Sequence, residues 1–437
     1  MNGIFFAIVL VAFVVAGFRQ ATWTPPSGGE EVATPMEALA EGMIKAAEGS
    51  VELAIGLVGV MALFLGLMKV AEAGGLLVII AKTVRPLMVR LFPEVPADHP
   101  AMGAIILNMS ANALGLGNAA TPFGIRAMQE LDGLNRHKGT ATNAMALFLA
   151  INTSSVTLLP TGVIALRAAA GSTDPAGILP TTLFATICST AIAIFMAKTC
   201  QRWFPMPVGG SDVVPESGKV EVEELSSENK ELQSHSGEAY PTWVSYSVLL
   251  GIAGLIPLTV MYGRSIAPWI IPGLMVALLG FGVLRKVRVY EVFVEGAKDG
   301  FNVALRIIPY LVAILVAVGM FRASGAMDMV IGPLSKFTGL VNLPAEALPM
   351  ALLRPLSGSG AYGVLASIIN DPAIGPDSYT GYLVSTIQGS TETTFYVLAV
   401  YFGAVNIRRI RHALVAALTA DVAGIAAAVA ICSYLYG

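Results

Sequence analysis

Two polar clusters interrupt apolar stretches of this sequence, and they are its first candidates for chemistry. Residues 150–160 read AINTSSVTLLP, and residues 386–396 read TIQGSTETTFY. A helix that breaks at such a cluster frees backbone N–H and C=O groups, which can bind an anionic group or a cation. The two clusters therefore predict ligand-binding breaks in two helices.

The second cluster contains Glu392, a carboxylate in the middle of an apolar stretch. Burying such a group costs a few kcal/mol or more, and it marks a functional site by default. Glu392 is interpreted as binding substrate or a proton, with a structural pair to Arg354 as the alternative. Arg354 itself could clamp a carboxylate or phosphate, or it could snorkel to the membrane surface.

Two further segments carry polar residues between apolar arms, within 100–133 and within 345–371. Irregular backbone at membrane depth survives only where protein or a water-filled cavity satisfies its polar groups. Each segment is therefore predicted to be a re-entrant helical hairpin whose polar tip lies inside the protein. Two tips facing two broken helices would form one central polar site.

The candidate substrate-binding residues all lie in these tips and breaks. They are Asn108, Ser110, Asn112, Asn118, Thr121, Asn152, Ser154, Arg354, Ser357, Ser359, Gln388, Ser390, Thr391, Glu392 and Thr393. Single Ser and Thr residues in membrane helices commonly bond back to their own helix, so a structural role is the alternative for Thr153, Ser155 and Thr394.

The composition requires a membrane to surround these elements. The chain is 55% hydrophobic and 13% charged, with a mean hydropathy of +0.72, whereas a soluble domain carries about 25% charged residues. Apolar runs long enough to cross ~30 Å of hydrocarbon recur along the chain. Examples are 3–18, 51–68, 178–197, 243–261, 303–321 and 413–435. We expect an all-α polytopic membrane protein with about nine spans, the first being a retained span and not a signal peptide.

One segment is unlike the rest. Residues 206–240 are rich in Glu, Ser and Gly and poor in apolar residues, a composition typical of a disordered linker. This linker divides the chain into an N-terminal half, 1–205, and a C-terminal half, 241–437.

The two halves resemble each other. Residues 297–325 follow the pattern of 46–74, in which an amphipathic helix leads into a span. The other matched positions, in the same order in both halves, are Ser110 with Ser357 and Ser154 with Ser390. These matches predict an internal repeat.

Basic residues orient the two repeats, because short cytoplasmic loops carry an excess of Lys and Arg. The basic clusters are Arg85 with Arg90, Arg136 with Lys138, Lys198 with Arg202, Arg285 to Arg288, and Arg408 to Arg411. If all are cytoplasmic, the span at 139–165 runs outward, the span at 378–403 runs inward, and the linker is cytoplasmic. Such inverted repeats are typical of secondary transporters, whose substrate site lies near the membrane midplane.

Other functional classes lack support in the sequence. The three cysteines have no CxxC spacing and the four histidines lie far apart, so neither a metal site nor a disulfide framework is predicted. No HExxH, GxSxG or P-loop motif is present, which argues against an enzyme. We expect no resident cofactor and no nucleic-acid partner.

Two motifs resemble known families. The run NMSANALGLGNAATPFGIRAMQELD strongly resembles spore maturation protein A, and RPLSGSGAYG with QGSTETTFYVLAVYFGAVNIRRIRHAL resembles spore maturation protein B. The chain looks like a fusion of the two. Both families carry the Gate, or nucleoside-recognition, domain, which they share with ferrous iron permeases and more distantly with concentrative nucleoside transporters.

The resemblance implies a substrate pocket between the two hairpins and the two broken spans. It also implies a cation site, a candidate for sodium binding, formed by Asn112 or Asn118 together with Ser154. The GTPase domain of the iron permeases is missing, so iron uptake of that type is not expected.

The expected function is secondary transport of a small polar or anionic solute that is nucleoside-like, peptide-like or derived from the cell wall. Coupling to Na⁺ or H⁺, an elevator-type movement, a homo-oligomer (dimer or trimer) and a place in the bacterial cytoplasmic (inner) membrane are expected with it. The alternative is a non-transporting membrane protein that supports envelope or peptidoglycan maturation through a partner.

Overall fold

The computed structural model describes residues 2–24, 33–115, 117–206, 240–327, 329, 333 and 338–437. Within these residues the chain is helical, as predicted. The helices are α1 (Asn2–Ala21), α2 (Pro35–Ala73), α3 (Leu76–Leu91), α4 (Pro100–Ala113), α5 (Gly117–Gly133), α6 (Asn143–Thr153), α7 (Thr161–Ala169), α8 (Ile178–Cys200), α9 (Thr242–Leu284), α10 (Val289–Ala323), α11 (Leu348–Leu353), α12 (Gly358–Ile369), α13 (Tyr379–Ser390), α14 (Thr394–Gly403) and α15 (Ala413–Tyr436). The predicted linker lies almost entirely outside the described residues.

The apolar runs of the sequence coincide with the long helices. Among the described residues, α8 and α15 are each long and apolar enough to cross a membrane, and residues 58–73 with α3 form a further candidate that is bent by 69°. The structure thus contains helices of the membrane type, and the total of about nine spans stays a prediction.

Helix α9 covers the region where a pair of spans is expected. Its two flanks contact one short segment, since Tyr240 N–H donates to the Lys82 carbonyl at 3.3 Å and Arg285 Nε donates to the Gly74 carbonyl at 2.9 Å. A straight helix of 43 residues would be ~65 Å long, whereas Gly74 and Lys82 are only eight positions apart. Helix α9 therefore bends back on itself, as two spans require.

Helices α2 and α10, which begin the two predicted repeats, pack against each other in antiparallel directions. Near one end, a Cβ on Gly42 would lie 2.9 Å from the Ala323 Cβ, and near the other a Cβ on Gly66 would lie 2.8 Å from the Phe293 ring. Glycines at both ends of the crossing let the two backbones approach closely.

The two hairpin segments fold as helix pairs with short turns. Helix α4 begins at Pro100, because proline fits the first helical position. The turn to α5 contains Gly115 at φ +74°, and a side chain there would also collide with the Leu159 carbonyl. In the second pair, the Ser357 hydroxyl accepts from Gly360 N–H at the start of α12, which is the capping role that serine commonly takes.

We predict that Gly300→Val destabilises the protein, because a Cβ at residue 300 would lie 2.6 Å from the Ala62 Cα. Overpacking of this kind costs about 1–3 kcal/mol or more. Valine and glycine differ little in helix propensity, so the change isolates packing. The measurement is the melting temperature of the purified protein in detergent.

The matched control is Gly49→Val, at the position that aligns with Gly300 in the repeat. No described atom lies within 4 Å of a Cβ on Gly49, so this variant should melt like the wild type. Equal melting of both variants would contradict the close crossing of α2 and α10.

Candidate functional site

Both predicted breaks are present, and they touch. Helix α6 ends at Thr153 and the chain becomes helical again at Thr161, while α13 ends at Ser390 and α14 begins at Thr394. The Glu392 N–H donates to the Thr153 carbonyl at 2.8 Å. A backbone donor freed by the second break is therefore satisfied by an acceptor freed by the first.

The two broken helices lie antiparallel along their whole length. Before α6, the Gly139 carbonyl accepts from the N–H groups of Arg408 and Arg409, which follow α14. At the other end, Arg167 of α7 donates to the Pro376 carbonyl ahead of α13 at 2.6 Å. The start of each broken helix thus meets the end of the other, with the breaks between.

Arg354, in the turn between α11 and α12, closes the second break. Its guanidinium donates to the Gln388 carbonyl (3.2 Å), the Thr391 carbonyl and the Thr393 hydroxyl (3.0 Å). The side chain is only 5% exposed. A cation at the C-terminal end of α13 compensates the carbonyls that the helix leaves unpaired.

The side chain of Glu392 is 52% exposed, and its Oε2 lies 3.6 Å from Arg354 Nη2. Binding of substrate or a proton by Glu392 stays a prediction. The backbone of Thr391 and Thr393 is extended, and successive side chains of an extended segment point to opposite sides. Thr391 and Thr393 are buried, so the carboxylate between them points outward. It borders the second break without being enclosed by it.

The first hairpin contributes a network of amides. Asn152 Oδ1 accepts from Asn112 Nδ2 at 3.0 Å and from the Tyr401 hydroxyl at 3.4 Å. Asn108 Nδ2 donates to the Ala120 carbonyl at 2.7 Å and lies 3.3 Å from the same Tyr401 hydroxyl. The network joins α4 and α6 of one half to α14 of the other.

Two tyrosines enter this region against glycines of the opposite half. A Cβ on Gly124 of α5 would collide with the Tyr401 hydroxyl, and a Cβ on Gly162 of α7 would lie 2.6 Å from the Tyr362 hydroxyl of α12. Each hairpin therefore packs on the broken helix of the other half, and the site is built from both.

The remaining predicted residues fall into two groups. The hydroxyls of Ser110, Ser154 and Ser390 donate to carbonyls of their own helices, and Ser357 caps α12, so these four have local structural bonds. Thr121 and Ser359 are half-buried, and the side chain of Asn118 lies outside the described residues.

Three buried residues of the broken helices and of α15 were missed in the sequence. Tyr401 carries the hydroxyl that links two asparagines, Asp421 of α15 accepts from the Thr394 hydroxyl at 2.7 Å, and Arg167 is fully buried. The missed signal for Asp421 and Arg167 is the one used for Glu392, a charged group within an apolar helix.

Arg167 makes several contacts at one end of the two broken helices, the end that lies away from Arg408. Besides Pro376, it pairs with Asp377 at 3.0 Å and stacks on the Tyr382 ring, 4.2 Å from its centroid. Burial raises the pKa of Asp377, but hydrogen bonds from Ser172 and Thr173 and the charge of Arg167 outweigh it, so that pKa lies below its ordinary value.

Comparisons with known proteins agree with the two motifs. A family model called Gate and described as nucleoside recognition matches residues 54–170 and 304–408. Spore maturation protein B of Bacillus subtilis (strain 168) is 46% identical over 167 residues, which cover 38% of this chain and 93% of that protein. Spore maturation protein A of the same organism is 46% identical over 158 residues, covering 36% of this chain and 81% of that protein. The expected likeness to both proteins is confirmed.

Two weaker similarities add little. Inner membrane protein YjiG of Escherichia coli (strain K12) is 31% identical over 88 residues, which cover 20% of this chain and 58% of that protein. The crystal structure of the Alcanivorax borkumensis YdaH transporter superposes over 99% of this chain and 97% of its own, with 15% identity and a TM-score of 0.42.

We predict that Arg354→Met destabilises the protein far more than Glu392→Gln. The first change leaves two buried break carbonyls without their donor, at about 1–3 kcal/mol each, whereas the second removes one half-exposed ion pair worth about 0–1 kcal/mol. Melting temperatures of the purified variants measure the difference. A loss in Glu392→Gln as large as in Arg354→Met would mean that the carboxylate is the main partner of Arg354.

We predict that Asp377→Asn lowers stability at neutral pH. A carboxyl whose folded pKa is lowered contributes stability above its unfolded pKa, near 4, and loses it as the pH falls through the folded value. The difference in melting temperature between wild type and variant should therefore shrink on acidification below about pH 4. The control is Asp98→Asn, whose carboxylate is 99% exposed, and a pH-independent loss in Asp377→Asn would contradict the role of its charge.

Proposed function

We propose that this chain, which belongs to the Gate nucleoside-recognition family, is a non-enzymatic membrane protein that transports a small polar solute. The observation that carries the proposal is the contact of two antiparallel broken helices at their breaks, Glu392 N–H on the Thr153 carbonyl, beside a network of amide side chains. Non-helical backbone at membrane depth is tolerated where it is buried in protein or lines a cavity, and transporters bind substrate at such breaks.

An inverted repeat fits the same contacts. Helices α2 and α10 cross antiparallel, α6–α7 and α13–α14 run antiparallel, and each hairpin packs on the broken helix of the other half. These are the relations expected of two halves related by an axis in the membrane plane. On this proposal the helix pairs α4–α5 and α11–α12 are re-entrant hairpins, and the protein lies in the bacterial inner membrane with the linker in the cytoplasm.

The chemistry of the site favours a neutral solute over an anion. The guanidinium of Arg354 is occupied by break carbonyls and the Thr393 hydroxyl. In contrast, Asn108 Oδ1 and Gln388 Oε1 are buried and have no hydrogen-bond partner among the described residues. Buried amide groups of this kind are normally satisfied, and the N–H and O–H donors of a nucleoside would suit them. We therefore propose a nucleoside-like substrate.

Coupling and movement are further parts of the proposal. A sodium ion could use the amide oxygen of Asn112, whose Nδ2 is bonded to Asn152, with Ser154 and Asn118. An elevator-type shift of the hairpins and broken helices against α2, α9 and α10 would require a fixed surface, which a dimer or trimer provides.

A second candidate function comes from the relatives' names. Two proteins that share 46% identity with parts of this chain are spore maturation proteins. A membrane protein that supports envelope maturation through a partner, without transport, would account for that similarity and is tested by the same experiment.

We predict that neutral nucleosides raise the melting temperature of the purified protein more than dicarboxylates, dipeptides or cell-wall fragments do. A ligand that binds only the folded state adds RT ln(1 + [L]/Kd), about 2.7 kcal/mol at one hundred times Kd. The best ligand should then accumulate in proteoliposomes. Stabilisation by no member of the panel, together with no uptake, would favour the envelope-maturation candidate.

Within that assay, Glu392→Gln should reduce uptake at least tenfold (about 1.4 kcal/mol or more) while leaving the melting temperature unchanged. The matched control is Glu41→Gln, because Glu41 is similarly exposed, at 56%, and paired with Lys45, but lies in the first turns of α2. Wild-type uptake by Glu392→Gln would remove Glu392 from the mechanism.

A further inference from the structure

We propose that Asp421 of α15, next to the second break, is a proton-binding site whose enclosed environment favours the neutral form of the carboxyl. The site is separate from the amide network. Only its role in coupling rests on the proposed function, since binding of the proton does not require transport.

One carboxyl oxygen of Asp421 is buried without a hydrogen-bond partner among the described residues. The residue is 2% exposed. Its Oδ2 accepts from the hydroxyl of Thr394, the first residue of α14, at 2.7 Å. Its Oδ1 is buried and has no hydrogen-bond partner in the described chain. An ionised carboxylate in this position would lack the partners that such burial demands.

Tight packing around the site argues for a proton over a metal cation. One turn beyond Asp421, a Cβ on Gly424 would lie 2.8 Å from the Thr391 Cγ2 and 3.2 Å from the Ser189 Cβ. Ser189 Oγ also donates to the Ala420 carbonyl at 2.8 Å. Helix α15 is thus clamped between α8 and the break. A metal cation needs several oxygen ligands around it, whereas a proton needs no added volume.

Among the described residues, no cation forms an ion pair with Asp421 that would stabilise its ionised carboxylate. Helix α15 packs against α6, α8, α13 and α14. Their titratable side chains, with those at the break and on α15 itself, are Cys188, Lys198, Cys200, Arg354, Tyr379, Tyr382, Glu392, Tyr396, Tyr401, Cys432, Tyr434 and Tyr436. Within the described chain none of them forms an ion pair with Asp421, and the guanidinium of Arg354 donates to the break carbonyls and to Thr393.

The proton on Asp421 can influence the break directly. Thr394 joins the carboxyl to the first turn of α14, so loss of the proton would put a full negative charge at that helix end. A buried negative charge without enough hydrogen-bond partners is costly, and this cost would favour a conformation that opens the site to water. A shift of the broken helix could then take up a proton on one side of the membrane and release it on the other.

The first test is infrared spectroscopy of the purified protein without substrate. At pH 7 the wild type should show the C=O absorption of a protonated carboxylic acid, and Asp421→Asn should lack that component. Asp98→Asn, which changes an exposed carboxylate, should keep it. The same absorption in wild type and Asp421→Asn would overturn the proposal, as would its removal by sodium chloride at constant pH and ionic strength, which would indicate a cation site.

A second variant tests the same site by infrared titration if Asp421→Asn does not fold. Thr394→Val retains Asp421 but removes the hydrogen bond that stabilises its ionised form, so the pH at which the absorption disappears should rise. An unchanged titration would contradict the site. Because neither spectrum depends on uptake, failure of the transport assay and failure of the proton site are separate results.

Discussion

The rest of the structure depends on how the backbone polar groups at two helix breaks are satisfied. A break inside a bilayer exposes N–H and C=O groups that water cannot reach, and each unsatisfied group costs several kcal/mol. Here the second break donates Glu392 N–H to the Thr153 carbonyl of the first, and Arg354 binds the carbonyls of Gln388 and Thr391. One hydrogen bond thus joins the two breaks directly and ties the two halves of the chain together at this point.

In the proposed binding site, the hydrogen bonds of Arg354 to the backbone limit which side chains are left to contact a ligand. The guanidinium of Arg354 donates to backbone carbonyls, and the polar network beside the first hairpin consists of amide side chains and the Tyr401 phenol. The tyrosines reach this region because Gly124 and Gly162 have no side chains. Glycine at positions 124 and 162 thus leaves the space that the hydroxyls of Tyr401 and Tyr362 occupy.

The sequence predicts the helical fold, the two breaks and the two helix pairs, because these follow from apolar runs interrupted by polar residues and glycine. The sequence does not predict that the Glu392 side chain is half-exposed, since the direction of one side chain on the extended backbone of Thr391 and Thr393 depends on local angles that no pattern records. Asp421 was missed for another reason. Asp421 lies in the apolar run 413–435, which was interpreted as one membrane span without considering its single charged residue. Its hydrogen-bond partner, the Thr394 hydroxyl, is 27 positions away in the sequence.

The proposed repeat does not extend to the charged residues of the second break. The alignment that matches Ser154 with Ser390 puts Val156 at the position of Glu392, and the same offset carries α8 onto α15 with Ala185 at the position of Asp421. Apolar side chains therefore meet the packing demands of both positions in the first half. The second break has a carboxylate on each side, one half-exposed and one buried without an ion-pair partner in the described chain. Burying a charge is costly, and Ala185 at the matched position shows that an apolar side chain can occupy it, so packing alone does not require a carboxyl at Asp421.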